Sequence, residues 1–162
     1  MMADIQWVYG IKPESMTLDW RKRIIELFLA ETQEIYRESS LLSLAIPEWN
    51  GNLMLIDRDT YPLASSLKGI LWCKPFMEDS IRVVAFVLDK KFQSKGLGGK
   101  AWKLMTSSLK KQGLNHVQLE VRCSNTDAQD FYRRRGMEII RRIDMYYKTE
   151  HGYMMRGSLS TD

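Results

Sequence analysis

The apolar positions of this chain change their period along its length, and each change marks a predicted element. Ile5 to Tyr9 reads as a short strand, ended by Gly10 and Pro13. Thr17 stands where a cap would start a helix running to about Glu38. Ile24, Phe28 and Ile35 fall on one face of that helix, and Arg21, Lys22, Glu26 and Glu34 lie elsewhere. Ser39 to Trp49 predicts a shorter second helix, stopped by Pro47 and the Asn50-Gly51 turn. Leu53 to Ile56 reads as a strand, Asp57 to Pro62 as a turn, and Leu67 to Lys74 as a further strand closed by Pro75. Ile81 to Leu88 is almost continuously apolar and β-branched, the pattern of a central strand.

The second half of the chain has cleaner periods. Leu97 to Gln112 predicts a helix with Leu97, Ala101, Leu104, Met105 and Ser108 on one face. Lys110 and Lys111 suit its last turn, and Gly113 is the stop. His116 to Arg122 alternates: Val117, Leu119 and Val121 face one way, and His116, Gln118, Glu120 and Arg122 the other. The next helix starts at the Ser124-Asn125 cap site and ends at Gly136, with Ala128, Phe131, Tyr132 and Arg135 on one side. Met137 to Lys148 predicts a long strand, Glu150 to Gly152 a turn, and Tyr153 to Leu159 a final strand. No repeat or low-complexity tract interrupts this order, so one domain over residues 1–162 is expected.

Composition narrows the partners. Hydrophobic residues make up 44% and charged residues 27%, ordinary for a globular chain. No apolar run approaches the roughly 18 residues of a membrane span, and no basic-then-apolar leader opens the chain. Cys73 and Cys123 match no metal spacing, and His116 and His151 are too few for a histidine-based site. A reduced, cytoplasmic protein without a metal is therefore expected. The net charge of +4 fits an acidic partner: nucleic acid, an anionic cofactor or an acidic peptide. Arg133, Arg134 and Arg135 are consecutive on a helix and point in different directions, which argues against a nucleic-acid patch.

The candidate chemistry begins after the central strand. A basic connector leads to Gly96, Gly98 and Gly99 where a helix starts, and bare N–H groups at such a junction suit a phosphate. Gly96-Leu97-Gly98-Gly99-Lys100-Ala101 formally satisfies the dinucleotide string G-x-G-x-x-A, and Glu120 lies near the distance of a ribose-binding acid. In that motif, however, the first glycine follows the strand almost directly. Here Asp89 to Lys95 intervene, and the remaining chain reads as a hairpin rather than further βαβ units. The string also fails the spacing of a nucleotide P-loop. A phosphate-binding role survives; both nucleotide folds do not.

Two motifs then point to one family. Gln93-Ser94-Lys95-Gly96-Leu97-Gly98 resembles the Q/R-x-x-G-x-G/A acetyl-coenzyme A loop of the GNAT acetyltransferases. Leu119-Glu120-Val121-Arg122, followed by Ser124-Asn125, Ala128, Phe131-Tyr132 and Gly136-Met137, resembles that family's strand–helix unit, with Met137 where an aromatic is usual. The resemblance is firm from Ile81 to Lys148; over the N-terminal half only the element order agrees. It implies an α+β fold, a mixed and mostly antiparallel sheet of six to seven strands flanked by about four helices, with two central strands splayed around the cofactor. The backbone of Phe86, Val87 and Leu88 would pair with the pantetheine arm of acetyl-coenzyme A. The loop from Gln93 through Ser94, Lys95, Gly96, Leu97 and Gly98 to Gly99 would hold the pyrophosphate. Asn125 would cap its helix and touch the pantetheine, although capping alone explains it equally well.

The same resemblance suggests the reacting groups. An acceptor amine is mostly protonated at neutral pH and must lose a proton before it attacks a thioester. Glu120, on the polar face of its strand, matches the family position that serves as base in protein N-terminal acetyltransferases. A solvated or salt-bridged strand glutamate, with Arg122 as one candidate partner, is the alternative. The leaving thiolate can take a proton from a phenol, since a thiol has a pKa of about 8.5 and a phenol about 10. Tyr132 matches the family's tyrosine in that role, whereas alone it would read as a core residue beside Phe131. Arg141 to Tyr147, with Gly152 to Met155, resembles the hairpin of the ribosomal-protein and Nα-acetyltransferase branch. Tyr146 and Tyr147 stand there at the tyrosine pair that helps close over the acceptor's first residues, with alternating strand tyrosines without function as the alternative. The expected partner is an acceptor protein or peptide, with a small amine as the alternative. The basic surface disfavours polyamines. A monomer or homodimer is expected, and a non-catalytic acetyl-coenzyme A sensor or RNA-associated module is the contrasting class.

Overall fold

A computed structural model describes residues 4–11, 16–34 and 36–159. Pro13 and Ile35, used above to end a strand and to complete a helix face, lie outside the described residues. The elements in chain order are β1 (Ile5–Tyr9), α1 (Leu18–Thr32), α2 (Glu38–Ser43), β2 (Leu53–Asp57), β3 (Leu67–Phe76), β4 (Ser80–Leu88), α3 (Leu97–Lys111), β5 (His116–Arg122), α4 (Thr126–Arg133), β6 (Met137–Tyr147) and β7 (Glu150–Ser158). The seven strands form one sheet in the order β1-β2-β3-β4-β5-β7-β6. β4 and β5 pair in parallel, while β1/β2, β2/β3, β5/β7 and β6/β7 pair antiparallel. This is the expected α+β arrangement, a mixed sheet with four α-helices. The parallel ladder joins Ser80, Ile81 and Arg82 to His116, Val117 and Gln118, whereas β4 itself runs on to Leu88.

Several predicted boundaries move, each for a local reason. Helix α1 ends at Thr32 rather than near Glu38, because Gln33 adopts a left-handed conformation (φ 63°) and its N–H caps Leu29 O. Strand β3 runs through Pro75 to Phe76, and the turn falls at Met77, itself left-handed at φ 57°. The turn expected at Glu150 to Gly152 falls instead on Lys148 and Thr149; Tyr147 faces Glu150 across the hairpin, so β7 begins there. On α3 the fully buried face is Ala101, Trp102, Met105 and Leu109, which leaves Leu104 and Ser108 only partly covered.

The chain divides into two compact units, residues 1–73 with 85–108 and residues 74–84 with 109–162. In the first, Thr17 caps α1 by accepting from Trp20 N–H at 3.4 Å. α1 then lays Trp20, Ile24, Leu27 and Phe28 against Met54 and Ile56 of β2, Leu67, Ile70 and Trp72 of β3, and Val87 of β4. Full burial of such side chains stabilises by about 1.5–3 kcal/mol each. In the second unit, the apolar face of β5 (Val117, Leu119, Val121) is buried, as are Met137 of β6 and Met155 of β7. The alternation of β5 therefore turns Gln118 and Glu120 to the opposite face.

Candidate active site

The phosphate-binding candidates lie in the first unit. Asp89 caps a short 3-10 turn over Lys90–Phe92 by accepting from Lys91 N–H at 3.1 Å, and Arg23 donates to the same carboxylate at 3.1 Å. Burial alone would raise the Asp89 pKa, but Lys91 N–H and Arg23 together hold it below the ordinary carboxylate value. The side-chain amide of Gln93 ties the connector down, donating to Leu88 O at 2.8 Å and to Glu31 at 2.6 Å. Lys95 lies 5.8 Å from the Phe92 ring centroid, with Lys68 at 5.7 Å from the same ring.

Ser94 and Gly96 then take left-handed conformations, φ 60° and 82°. The backbone enters α3 with its first hydrogen bond running from Lys100 N–H to Gly96 O at 3.2 Å. The N–H groups of Leu97, Gly98 and Gly99 therefore precede any intrahelical bond. A Cβ built on Gly96 would meet no atom within 4 Å. Glycine is needed there for its φ, and the space beside it is open. Open space, three N–H groups without a partner among the described residues and a helix N-terminus fit a pyrophosphate. Trp7 Nε1 fixes the first turn by donating to Leu97 O at 2.8 Å. Along β4, Val87 is buried, Leu88 is half-buried, and Phe86 stacks on Trp102 with ring centroids 6.3 Å apart.

The candidate acid–base groups lie in the second unit. Glu120 Oε1 accepts from Arg82 Nε at 2.7 Å and from the Tyr146 hydroxyl at 3.4 Å, and Oε2 from Gln118 Nε2 at 3.4 Å. Arg82 Nη2 also donates to Tyr146 Oη at 3.1 Å. The Glu120 side chain is 7% exposed and that of Arg82 38%. The Arg82 pKa is raised: burial would lower it, but the hydrogen bond and charge of Glu120 outweigh that. Burial, helped by the Glu120 charge, also raises the Tyr146 phenol. The network continues to Arg156, which donates to Gln118 Oε1 at 3.5 Å and to Ser80 Oγ at 2.6 Å. Ser80 in turn donates to Asp79, whose carboxylate lies 2.8 Å from His116 Nδ1. The Ser80 hydroxyl above all, and then His116, hold the Asp79 pKa below its ordinary value.

The alternative of a salt-bridged Glu120 is met through Arg82 and not through Arg122. In the β5/β7 register Glu120 faces Met154 and Arg122 faces Gly152. Arg122 instead lies 3.5 Å from Glu150 and 4.3 Å from the centroid of the Tyr147 ring. The two hairpin tyrosines therefore separate: Tyr146 joins Glu120, and Tyr147 packs on Arg122. Glu150 also accepts from Ser124 N–H at 2.9 Å and Ser124 Oγ at 3.0 Å, and chiefly for that backbone bond its pKa is lowered. That bond ties the β6/β7 turn to the start of α4. Asn125 caps α4 by accepting from Ala128 N–H at 3.2 Å. Tyr132 is 9% exposed and meets Phe131 edge-on, with centroids 5.4 Å apart.

Sequence reasoning missed Arg82, Gln118 and Arg156 as members of this cluster. One signal was available: Arg82 is the lone charge inside the apolar run of β4. Of the three consecutive arginines, Arg133 pairs with Asp130 and Arg135 lies on the Phe131 ring, and α4 ends at Arg133, short of the expected Gly136. Among the described residues no helix is long and apolar enough to cross a membrane, and no group of three or more His, Cys, Asp or Glu could hold a metal ion.

Comparison with known proteins agrees with this fold. No curated protein sequence matches the chain. Its fold is similar to Ard1 from Thermoplasma volcanium, at 21% identity and TM-score 0.74, over 95% of this chain and 97% of that one. It is also similar to the ribosomal-protein-S18-alanine N-acetyltransferase of Escherichia coli, at 17% identity and TM-score 0.77, over 98% and 96%. A third likeness is to Arabidopsis thaliana Naa50 in complex with the bisubstrate analogue CoA-Ac-MVNAL, at 16% identity and TM-score 0.75, over 95% and 98%. The family model described as the acetyltransferase (GNAT) family matches residues 21–137, and with both motifs inside that span the chain belongs to this family, as an N-acetyltransferase that depends on acetyl-coenzyme A.

Proposed function

We propose that the chain acetylates the α-amine of a protein or peptide. The observation that carries this reading is the Tyr146 hydroxyl on the Glu120 carboxylate, which links the acceptor hairpin to the candidate base. The likeness in fold to structures of a ribosomal-protein N-acetyltransferase and of a complex with a peptide-bearing bisubstrate analogue supports the same acceptor class. Bound acetyl-coenzyme A supplies an activated acyl group. Leu97, Gly98 and Gly99 offer N–H groups to its pyrophosphate, helped by the loop Gln93, Ser94, Lys95 and Gly96. The backbone of Phe86, Val87 and Leu88 would line the pantetheine, and Asn125 is assigned as the cap of α4.

Glu120 takes the proton of the acceptor amine, with the Tyr146 hydroxyl as the contact at its mouth. With acetyl-coenzyme A bound, Tyr132 Oη would supply the proton that the departing thiolate needs as the amine takes over the acyl group. Tyr147, packed on Arg122, shapes the hairpin against the acceptor. We further propose that residues 1–162 act as one domain, since β3 and β4 each run through both compact units. A cytoplasmic location is supported by the two free thiols, Cys73 and Cys123.

The test is Tyr132→Phe. Acetyl-coenzyme A binding measured by calorimetry should persist while turnover on an α-amine peptide array falls by about a hundredfold. Unchanged turnover removes Tyr132 from the reaction. Turnover on small amines alone overturns the acceptor class.

A further inference from the structure

The surface around Glu120 is cationic where it is open. Glu120 itself is nearly covered, and the side chains that cover it, Arg82 and Tyr146, are the ones left partly exposed. Arg82 engages Glu120 and Tyr146 through Nε and Nη2, whereas Nη1 has no partner among the described residues. A second guanidinium stands on the same row of the sheet: Met154 is opposite Glu120 on one side and opposite the exposed Arg141 on the other. Directly opposed residues share a face. The next row does hold an acid, Glu138, but it stands opposite Arg156.

An acceptor approaching this face meets guanidinium before it meets carboxylate. A polycation is repelled there. An acceptor carrying a carboxylate close to its amine is attracted, and the free edge of Arg82 offers it a charge-assisted hydrogen bond. The opposite edge of the same guanidinium holds Glu120. A carboxylate on Nη1 and an amine at Glu120 are then about one guanidinium apart, the reach of a single acidic side chain.

We propose that Arg82 is a specificity-determining residue, which recognises through Nη1 the side-chain carboxylate of an acceptor peptide whose first residue is Asp or Glu. The inference rests on the α-amine reading above and narrows it.

The experiment uses α-amine peptides that differ only at the first residue, Asp or Glu against Asn or Gln. The wild-type chain should acetylate the acidic members with kcat/KM about tenfold or more higher, a factor typical of one charge-assisted hydrogen bond, mostly through KM. Arg82→Gln should bring the ratio close to one. Arg82→Lys, which keeps the charge but not the planar fork, should retain part of it. Because the ratio is internal to each variant, a general loss of rate from disturbing Glu120 cancels. Calorimetry with acetyl-coenzyme A shows that each variant is folded. Equal rates on acidic and amide peptides by the wild type, or an unchanged ratio in both variants, overturn the inference and leave the α-amine reading standing. If no α-amine peptide is acetylated while lysine side chains or small amines are, the α-amine reading falls and this inference falls with it.

Discussion

Glu120→Gln separates the two things that Glu120 can do. As a strut, its carboxylate receives Arg82 Nε at 2.7 Å and the Tyr146 hydroxyl at 3.4 Å. Glutamine preserves the shape and one acceptor oxygen but removes the charge. A hydrogen bond to a charged group contributes about 1.5–3 kcal/mol. Arg82 is partly exposed, so solvent recovers some of this, and a structural loss of about 1–2 kcal/mol is expected. For a chain of this size that is a fall in Tm of about 2–8 °C. If loosened geometry were the whole effect, the same energy would slow the reaction by roughly five- to thirtyfold. Loss of a positioned base instead slows it by about 10²–10⁴-fold. The assay is steady-state release of the coenzyme A thiol on a fixed α-amine peptide, alongside thermal denaturation and acetyl-coenzyme A calorimetry. A rate fall above a hundredfold with cofactor binding intact identifies the base. Arg82→Met and the double variant complete a cycle, and the two stability losses should be less than additive because they remove one interaction. A Tm fall of the expected size with a rate fall under tenfold from pH 6 to 9 would refute the argument and leave Glu120 a strut for Arg82.

Two further expectations follow from the loop and from the carboxylates. Gly96→Ala meets no steric obstacle but must hold φ 82°, which costs about 1–2 kcal/mol. Melting should fall by about 2–8 °C, and calorimetry should show weaker acetyl-coenzyme A binding; unaltered binding would separate this glycine from the phosphate loop. Asp79, Asp89 and Glu150 all have folded pKa values below their ordinary ones. Each therefore contributes stability that is present above the unfolded carboxylate pKa and is lost as pH falls through the depressed folded value. Tm should decline from about pH 5 downward, and Glu150→Gln should flatten that decline. A Tm that rises on acidification contradicts the assignment.

The parts of the fold that were legible in sequence are those that local physics decides alone. The alternation of Val117, Leu119 and Val121 identified β5 and its buried face, and the Asn125 cap and Gly113 stop bounded their helices. Boundaries failed where a single residue took a left-handed conformation without being glycine. Gln33 and Met77 do so, and no propensity marks either as a terminus. The glycine loop was legible because its backbone demand is written in residue type. Its anchors were not: Trp7 Nε1 on Leu97 O joins residues 90 positions apart, and Gln93 reaches across 62 positions to Glu31.

The same distinction explains Arg82. A strand read alone shows an apolar run with one charge in it, and nothing in that run says which way the charge points or what it meets. Only the parallel register, Ser80 with His116 and Arg82 with Gln118, brings the guanidinium beside the polar face of β5, within reach of Glu120 two residues on. The motif that marks Glu120 is local to one strand, so it is legible from that strand alone. The partner that covers Glu120 comes from the neighbouring strand, outside that motif. The candidate base Glu120 thus stands behind a guanidinium supplied by the neighbouring strand. Acceptor preference is for that reason better read from the residue across the ladder than from the motif itself.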